Sequence, residues 1–168
     1  MRIYFEQITE DGKKFSLSKS FSVDDTEYIV DVFEGLIYPA GEGFLLDAKL
    51  KLRINDNCDR CLERFEEAFE ERVTVEIVKR DNEAEESVEL TDEDVGFYIV
   101  EESAVDLDHI LMQESVLLRP FKRVCSEECR GICSGCGANL NVETCKCKPD
   151  VDDRWKALAD FMQKDKNK

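Results

Sequence analysis

The sequence has little of what several protein classes require. It contains three prolines, eight glycines and one histidine among 168 residues, and no apolar run approaches about 18 residues. The low proline and glycine content excludes a collagen-like chain, and the short apolar runs argue against a membrane-spanning helix. Glu6 comes too early for the apolar region of a signal peptide. We therefore expect a cytosolic protein with no membrane partner.

Positive charge is also scarce. There are 23 Lys and Arg against 39 Asp and Glu, a formal charge of −16. Phosphate repels such a chain, which excludes a general nucleic-acid coat and gives no reason to expect DNA binding. Residues 81–118 hold thirteen carboxylates and no Lys or Arg, and we interpret residues 81–87 as a solvated loop. Residues 119–148 reverse the sign, with six cations against three carboxylates.

Signatures of catalysis are missing as well. His109 is the only histidine, and the sequence has no P-loop, no GxGxxG motif and no nucleophile elbow. We expect a protein that is not an enzyme.

What the sequence has in abundance, over its first eighty residues, is strand pattern. We predict strands at 27–38, 44–54 and 65–78, with a turn at 39–43. From Ala48 to Ile54 apolar and basic residues alternate, which indicates a half-buried strand antiparallel to the preceding one. The first half of 65–78 also permits a helix.

The hydrophobic period changes at Asp106. We predict a helix from Asp106, its N-cap, to Arg119, closed by Pro120, and a second short helix at 151–162. Glu114 falls in the apolar stripe of the first helix and is predicted to be a buried carboxylate. The favoured explanation is an ion pair with a nearby arginine, such as Arg60 or Arg64, or a hydrogen bond to the backbone, and the alternative is a role in partner binding or regulation.

The predicted fold class is α+β. A mostly antiparallel sheet that curls toward a barrel packs on one long helix in residues 1–120. A zinc-knuckle tail and a short C-terminal helix follow in residues 121–168.

The eight cysteines are the main chemical signal. In a reducing cytosol, clustered cysteines favour a metal over disulfides, and four thiolates complete a structural zinc site. All eight are therefore candidate ligands: Cys58, Cys61, Cys125, Cys129, Cys133, Cys136, Cys145 and Cys147. Gly137 suits the tight turn after the Cys133-x-x-Cys136 knuckle.

Ligand counting favours two zinc ions over one. The favoured assignment joins Cys58 and Cys61 to Cys125 and Cys129, and leaves the remaining four cysteines for a second ion. The competing assignment builds one site from four of the six C-terminal cysteines and leaves Cys58 and Cys61 free of metal.

Cations beside the knuckle are candidate contacts for RNA or a protein partner. These are Lys122, Arg123, Arg130, Lys146 and Lys148. Aromatic side chains for base stacking are few in this region. The acidic run fits a basic protein partner, such as a ribosomal protein, at least as well.

The order of these motifs resembles the YceD family of large ribosomal RNA subunit accumulation proteins. The resemblance covers about residues 58–158. It is carried by Cys58-x-x-Cys61-Leu62 after a strand and by Asp106-Leu107 opening a helix with Glu114 and Leu117-Leu118 before Pro120. The tail resembles the cysteine-rich subset of that family in its segment 129–141, followed by Cys145-Lys146-Cys147 and Asp153-Arg154. Ser134 stands where the family usually has proline. Proline stiffens this turn, and serine leaves it less rigid.

The resemblance implies a role in large-subunit ribosomal RNA accumulation and hence in ribosome assembly. Our hypothesis for the mechanism is a non-catalytic factor. It also implies that the second zinc site is accessory, because some members lack the tail cysteines. The expected partner is precursor large-subunit RNA or a ribosomal protein. The alternatives are a thiol–disulfide oxidoreductase using Cys58 and Cys61, and a zinc-ribbon adaptor in transcription.

Overall fold

The computed structural model describes residues 1–79, 97–100, 103–147 and 154. The chain divides into two compact units. The first, here called the sheet unit, is Met1–Asp56 with Arg64–Arg123, and the second, the cysteine unit, is Asn57–Glu63 with Val124–Lys168. Each is described by itself. The predicted second helix at 151–162 lies outside the described residues apart from Arg154.

The described elements follow one another in chain order. They are β1 (Arg2–Tyr4), a 3₁₀ turn (Phe5–Gln7), β2 (Lys13–Val23), β3 (Thr26–Ala40), β4 (Gly43–Asn57), β5 (Arg64–Lys79), β6 (Phe97–Val100), β7 (Ala104–Asp106) and α1 (Leu107–Leu117). No helix among them is long and apolar enough to cross a bilayer.

The main sheet has five strands in the order β2-β3-β4-β5-β6. β3 pairs antiparallel with β2 and β4, as predicted for β3 and β4, and the turn after β3 passes through Gly41 at φ +59°. β6 pairs with β5 in parallel, with Glu76 opposite Phe97. β1 and β7 form a separate antiparallel pair.

Alternation in the sequence decides which face of β4 is buried. Leu46, Leu50, Leu52 and Ile54 are each 0–1% exposed. The side chains between them point the other way, where Lys49 bonds to Glu70 at 2.6 Å. Because one face is apolar and the other charged, a slip of one residue would expose the whole apolar set, so the register is strongly specified.

The predicted α+β class, with its barrel-like sheet and its long helix, is wrong, because the described residues are mostly strand with one short α-helix. A closed barrel needs its two edge strands to pair. In the described sheet, β2 and β6 are the two ends, and β6 is only four residues long. The helix α1 has 11 residues, or about three turns. It stops at Leu117, before Pro120, which cannot continue a helix without losing a hydrogen bond.

The start and the buried face of α1 are close to the prediction. Asp106 is its N-cap, since the side chain accepts a hydrogen bond from the Asp108 amide at 3.0 Å. Leu107, Ile110 and Leu111 are buried. The next turn differs, because Ser115 is the fully buried residue there.

A buried carboxylate, Asp56, lies near the end of β4 in the sheet unit. The side chain of Asp56 is 5% exposed and accepts hydrogen bonds from Arg119 at 2.6 Å and from Arg123 at 3.3 Å. Hydrogen bonding to Asp56 raises the pKa of Arg119. Two guanidinium groups therefore offset the cost of burying this charge.

Candidate metal centres

Four cysteines from two distant segments meet in the cysteine unit. The ligand atoms of Cys58, Cys61, Cys125 and Cys129 all lie within 4.8 Å of one another, and we call these residues the first cluster. The sulfurs of Cys58 and Cys129 are 3.8 Å apart, and those of Cys61 and Cys125 are 3.7 Å apart. Four sulfurs bound to one zinc ion at about 2.3 Å would lie about 3.8 Å from one another. The spacing fits a tetrahedral metal site and is far longer than a disulfide bond.

The loop after β4 is shaped to aim two of these sulfurs inward. The backbone amide of Cys58 donates a hydrogen bond to the Glu63 carbonyl at 2.9 Å, and the amide of Leu62 donates to the Cys58 carbonyl at 2.9 Å. Leu62 adopts φ +64°, a left-handed conformation that is costly for a bulky residue. The result is a closed six-residue loop that presents Cys58 and Cys61 on one side.

Arg60 ties this loop to the tail. Its guanidinium donates to the carbonyls of Glu127 and Cys129, both at 3.0 Å. Its own carbonyl accepts a hydrogen bond from Ile132 at 3.1 Å. Gly131, at φ +73°, passes so close that an added Cβ would lie 3.0 Å from that carbonyl. Arg60 is thus a structural residue of the first cluster.

Backbone N–H groups point at the first cluster. The amides of Arg60 and Cys125 each donate to the Cys58 sulfur at 3.4 Å. Burial opposes ionisation of Cys58, but the amides of Cys125, Cys61 and Arg60 together lower its pKa to about 6. The Asn141 side chain donates to the Cys129 sulfur at 3.3 Å and lowers the pKa of that thiol. Such donors stabilise thiolates and orient them for a metal.

The thiols of the first cluster differ in pKa. A hydrogen bond with Cys129, together with burial, raises the pKa of the Cys125 thiol to about 12. Metal binding requires thiolates and releases the remaining protons. The cluster therefore presents preformed thiolate positions beside a thiol that a divalent ion would have to deprotonate.

A second cluster comprises Cys133, Cys136, Cys145 and Cys147, whose ligand atoms also lie within 4.8 Å of one another. The sulfurs of Cys133 and Cys145 are 3.3 Å apart. The backbone amides of Gly135 and Cys136 lower the pKa of Cys133 to about 6, while a hydrogen bond with Cys136 raises that of Cys147 to about 12.

The knuckle loop of the second cluster is closed by two backbone hydrogen bonds. Cys133 donates to the Ala138 carbonyl at 2.8 Å, and Gly137 donates to the Cys133 carbonyl at 2.9 Å. Gly137 adopts φ +75°, as the sequence predicts for the residue after the second knuckle sulfur. At Gly135 an added Cβ would lie 3.2 Å from the Cys147 Cβ, so a larger residue there would force that neighbour to shift slightly.

The two clusters differ in exposure. In the first, Cys58, Cys61 and Cys129 are 0%, 4% and 6% exposed. In the second, only Cys133 is buried, while Cys136 and Cys147 are exposed. Cys125, the fourth residue of the first cluster, is exposed, so that cluster is mostly buried with one cysteine at the surface, while the second lies largely at the surface of the cysteine unit.

The structure groups the cysteines into the two sets that ligand counting favoured. The competing single-site assignment, in which Cys58 and Cys61 lie away from a metal, does not describe these distances. Two residues that support the first cluster, Arg60 and Asn141, were missed as such. A cation between two ligand cysteines and an asparagine in a loop were the only signals available for them.

The predicted contact cations are scattered. Arg123 bonds to Asp56 in the sheet unit, where Lys122 is exposed. Arg130 and Lys146 are exposed in the cysteine unit. Lys148 lies outside the described residues.

Glu114, predicted to be buried, is partly exposed. Burial raises its pKa, and in the described residues no ion pair joins it to Arg60 or Arg64. The buried position beside it belongs to Ser115, whose hydroxyl has no hydrogen-bond partner in the described part of the chain.

Two features define the class of this protein: a mostly β chain, and a cysteine unit with two four-thiol clusters that could each hold a metal ion. The family model described as "Large ribosomal RNA subunit accumulation protein YceD" matches residues 46–162. The chain therefore belongs to the YceD family, as its motifs suggested.

The curated relatives that match this chain share less than a third of its residues over the matched segments. Uncharacterized proteins of Mycobacterium bovis and Mycobacterium tuberculosis are each 27% identical over 121 residues, which is 72% of this chain and 56% of theirs. One from Mycobacterium leprae is 29% identical over 75 residues, 45% of this chain and 34% of its own. The chain thus spans about half, or less, of the curated relatives it matches. No solved structure matches it.

Proposed function

We propose that this protein is a non-catalytic factor in the accumulation of large-subunit ribosomal RNA, acting in ribosome assembly. The observation that carries this proposal is the family match over residues 46–162. The partner is precursor large-subunit RNA or a ribosomal protein, and the site of action is the cytoplasm.

The proposed cofactor is zinc, with one ion in each cluster. Sulfur–sulfur distances of 3.7–3.8 Å in the first cluster support tetrahedral thiolate coordination. With all four positions taken by sulfur, no coordination site is open to a substrate, so the metal has a structural role.

A thiol–disulfide oxidoreductase is less well supported. Such an enzyme needs an attacking thiolate that a substrate can reach. Cys58 and Cys61 are 0% and 4% exposed, and each has a cysteine from the tail beside it. Nothing in the described residues favours the transcription adaptor.

Metal analysis tests the cofactor. Protein purified with zinc supplied should hold two ions per chain, and its eight thiols should react with a thiol reagent only after a chelator is added. Fewer than one ion per chain, with all thiols reactive from the start, would contradict the zinc proposal.

Complementation tests the role. In a bacterium depleted of its own YceD-family protein, this chain should restore the ratio of large-subunit to small-subunit ribosomal RNA. The double variant Cys58→Ser/Cys61→Ser should not, while the control Ser134→Ala, a change at an exposed knuckle position, should. Unchanged ribosomal RNA levels on depletion would rule out this function.

A further inference from the structure

Charge limits what the cysteine unit can bind. Residues 57–63 and 124–147 contain five acidic and three basic side chains, a formal charge of −2. Each zinc ion with four thiolates adds about −2, so the loaded segments carry about −6. A surface of this sign repels the phosphates of RNA and attracts a basic partner.

The cations within residues 57–63 and 124–147 do not reverse this conclusion for that part of the unit. Arg60 is occupied by the carbonyls of Glu127 and Cys129. Arg130 and Lys146 are exposed, but two cations fall short of the several phosphate contacts that nucleic-acid binding commonly uses.

Apolar side chains stand on the surface of the same unit. Val142 is 77% exposed, Leu62 is 65% and Ile132 is 41%. The loops that carry them are joined through Asn139, which bridges to Ile132, donates to the Glu63 side chain at 3.3 Å and accepts a hydrogen bond from Val142 at 3.2 Å. We call Leu62, Ile132 and Val142 the apolar surface.

Leu62 is displayed at a conformational cost. Its φ of +64° lies in a region that leucine rarely adopts, and its side chain gains little burial in return. The loop that presents Cys58 and Cys61 accounts for this strain, and it leaves the Leu62 side chain in solvent, where a partner can reach it.

Carboxylates adjoin the apolar surface. Glu63 follows Leu62 and Glu143 follows Val142, and both are exposed. Apolar side chains beside acidic ones match a partner segment that carries apolar anchors between lysines or arginines, because contact area then combines with charge complementarity.

We propose that the cysteine unit, through Leu62, Ile132 and Val142, binds a basic amphipathic segment of a protein and does not bind RNA. This deepens the proposed function by choosing between its two partner classes, and it rests on the zinc loading proposed above.

Fluorescence anisotropy with the full zinc-loaded chain tests this. The probes are a labelled peptide of alternating lysine and leucine, an all-lysine peptide of equal charge, and an RNA hairpin. The variant Leu62→Ser/Val142→Ser should weaken binding of the lysine–leucine peptide about tenfold or more. The control Phe121→Ser changes a fully exposed residue of the sheet unit and should leave binding within about twofold.

The all-lysine peptide separates anchoring from general attraction to an acidic protein, so its affinity should be the same for all three proteins. Equal affinity of the lysine–leucine peptide for wild type and the double variant would overturn the proposal. The proposal would also be overturned if wild type bound the RNA hairpin more tightly than the lysine–leucine peptide and the double variant lost that RNA binding. Because zinc content and ribosomal RNA levels are measured separately, either outcome leaves the proposed function standing.

Discussion

The sheet unit and the cysteine unit hold their folds by different means. The sheet unit buries a continuous set of large apolar side chains, including Phe33, Leu50 and Ile77, each 0% exposed. In the described part of the cysteine unit, the buried apolar side chains are cysteines, while larger ones such as Val142 face solvent. Hydrophobic burial is enough to explain the first unit, whereas the described part of the second has no such core, and its stability would depend on the ions proposed for its sulfurs.

The largest expected effect comes from removing a ligand of the first cluster. Structural zinc in small modules contributes on the order of 10 kcal/mol to folding. Cys58→Ser should therefore remove at least one zinc ion and abolish amide protection from hydrogen exchange in residues 124–129. Protection in β3 and β4 should persist.

Cys147→Ser makes the matched comparison in the exposed second cluster. It should cost one ion and leave protection around the first cluster intact. If Cys147→Ser instead removed both ions, the two clusters would not be independent.

A core truncation should produce the opposite pattern. Phe33→Ala should destabilise the sheet unit by about 3–5 kcal/mol, because a fully buried aromatic ring leaves a cavity. Urea unfolding measures the loss, and zinc content should not change. Phe121→Ala, at a fully exposed position, is the control and should have little effect. Loss of zinc in Phe33→Ala would show that the units are not held separately.

A smaller, stabilising change is expected at Ser115. Its hydroxyl is buried and has no hydrogen-bond partner in the described residues, so the folded state bears a desolvation cost. Ser115→Ala should raise the free energy of unfolding by about 1 kcal/mol, measured by urea unfolding. The exposed Ser18→Ala should not do so. A destabilised Ser115→Ala would indicate that the hydroxyl has a partner after all.

The smallest effect is expected at Glu114 and depends on pH. Burial raises its pKa in the folded state above the usual value of 4.5, so the folded protein binds this proton more tightly than the unfolded chain does. The resulting stability is present below the unfolded pKa and is lost as the pH rises through the folded value.

Glu114→Gln should therefore be slightly more stable than wild type at pH 7, by no more than about 0.5 kcal/mol. The difference should shrink toward pH 4 in thermal unfolding. The exposed Glu76→Gln should show no such trend. A variant less stable than wild type at pH 7 would show that the ionised carboxylate has a partner.

Part of this fold could be predicted because it depends on local pattern. The alternation from Ala48 to Ile54 predicted both the strand and its buried face. The N-cap of α1 was predicted from Asp106 and the change of period. Sheet closure was not predictable in this way, because the parallel pairing of β6 with β5 depends on how a connection runs, which alternation does not encode.

The helix shows where periodicity fails. An ideal period placed Glu114 on the buried face, yet Glu114 is partly exposed, Leu117 is 76% exposed and Ser115 is fully buried. A polar residue at a core position and a leucine in solvent both contradict hydropathy, and only the packing of neighbouring elements decides between them.

The cysteines of the two candidate metal sites could be predicted from the sequence, but the residues that hold them in place could not. Counting ligands predicted the two sets of cysteines, since each closed site needs four. The two carbonyls bound by Arg60 and the sulfur bound by Asn141 follow from loop conformations that motif spacing does not specify.

The separation between the halves of the first cluster has a consequence for how the protein is made. Cys58 and Cys129 lie 71 positions apart, and Cys61 and Cys125 lie 64 apart. At synthesis rates of about 5–20 residues per second, the early pair leaves the ribosome several seconds before the late pair. During that interval the nascent chain holds only two of the four thiols of the first cluster, so capture of the proposed ion would be a late step that couples maturation to metal supply.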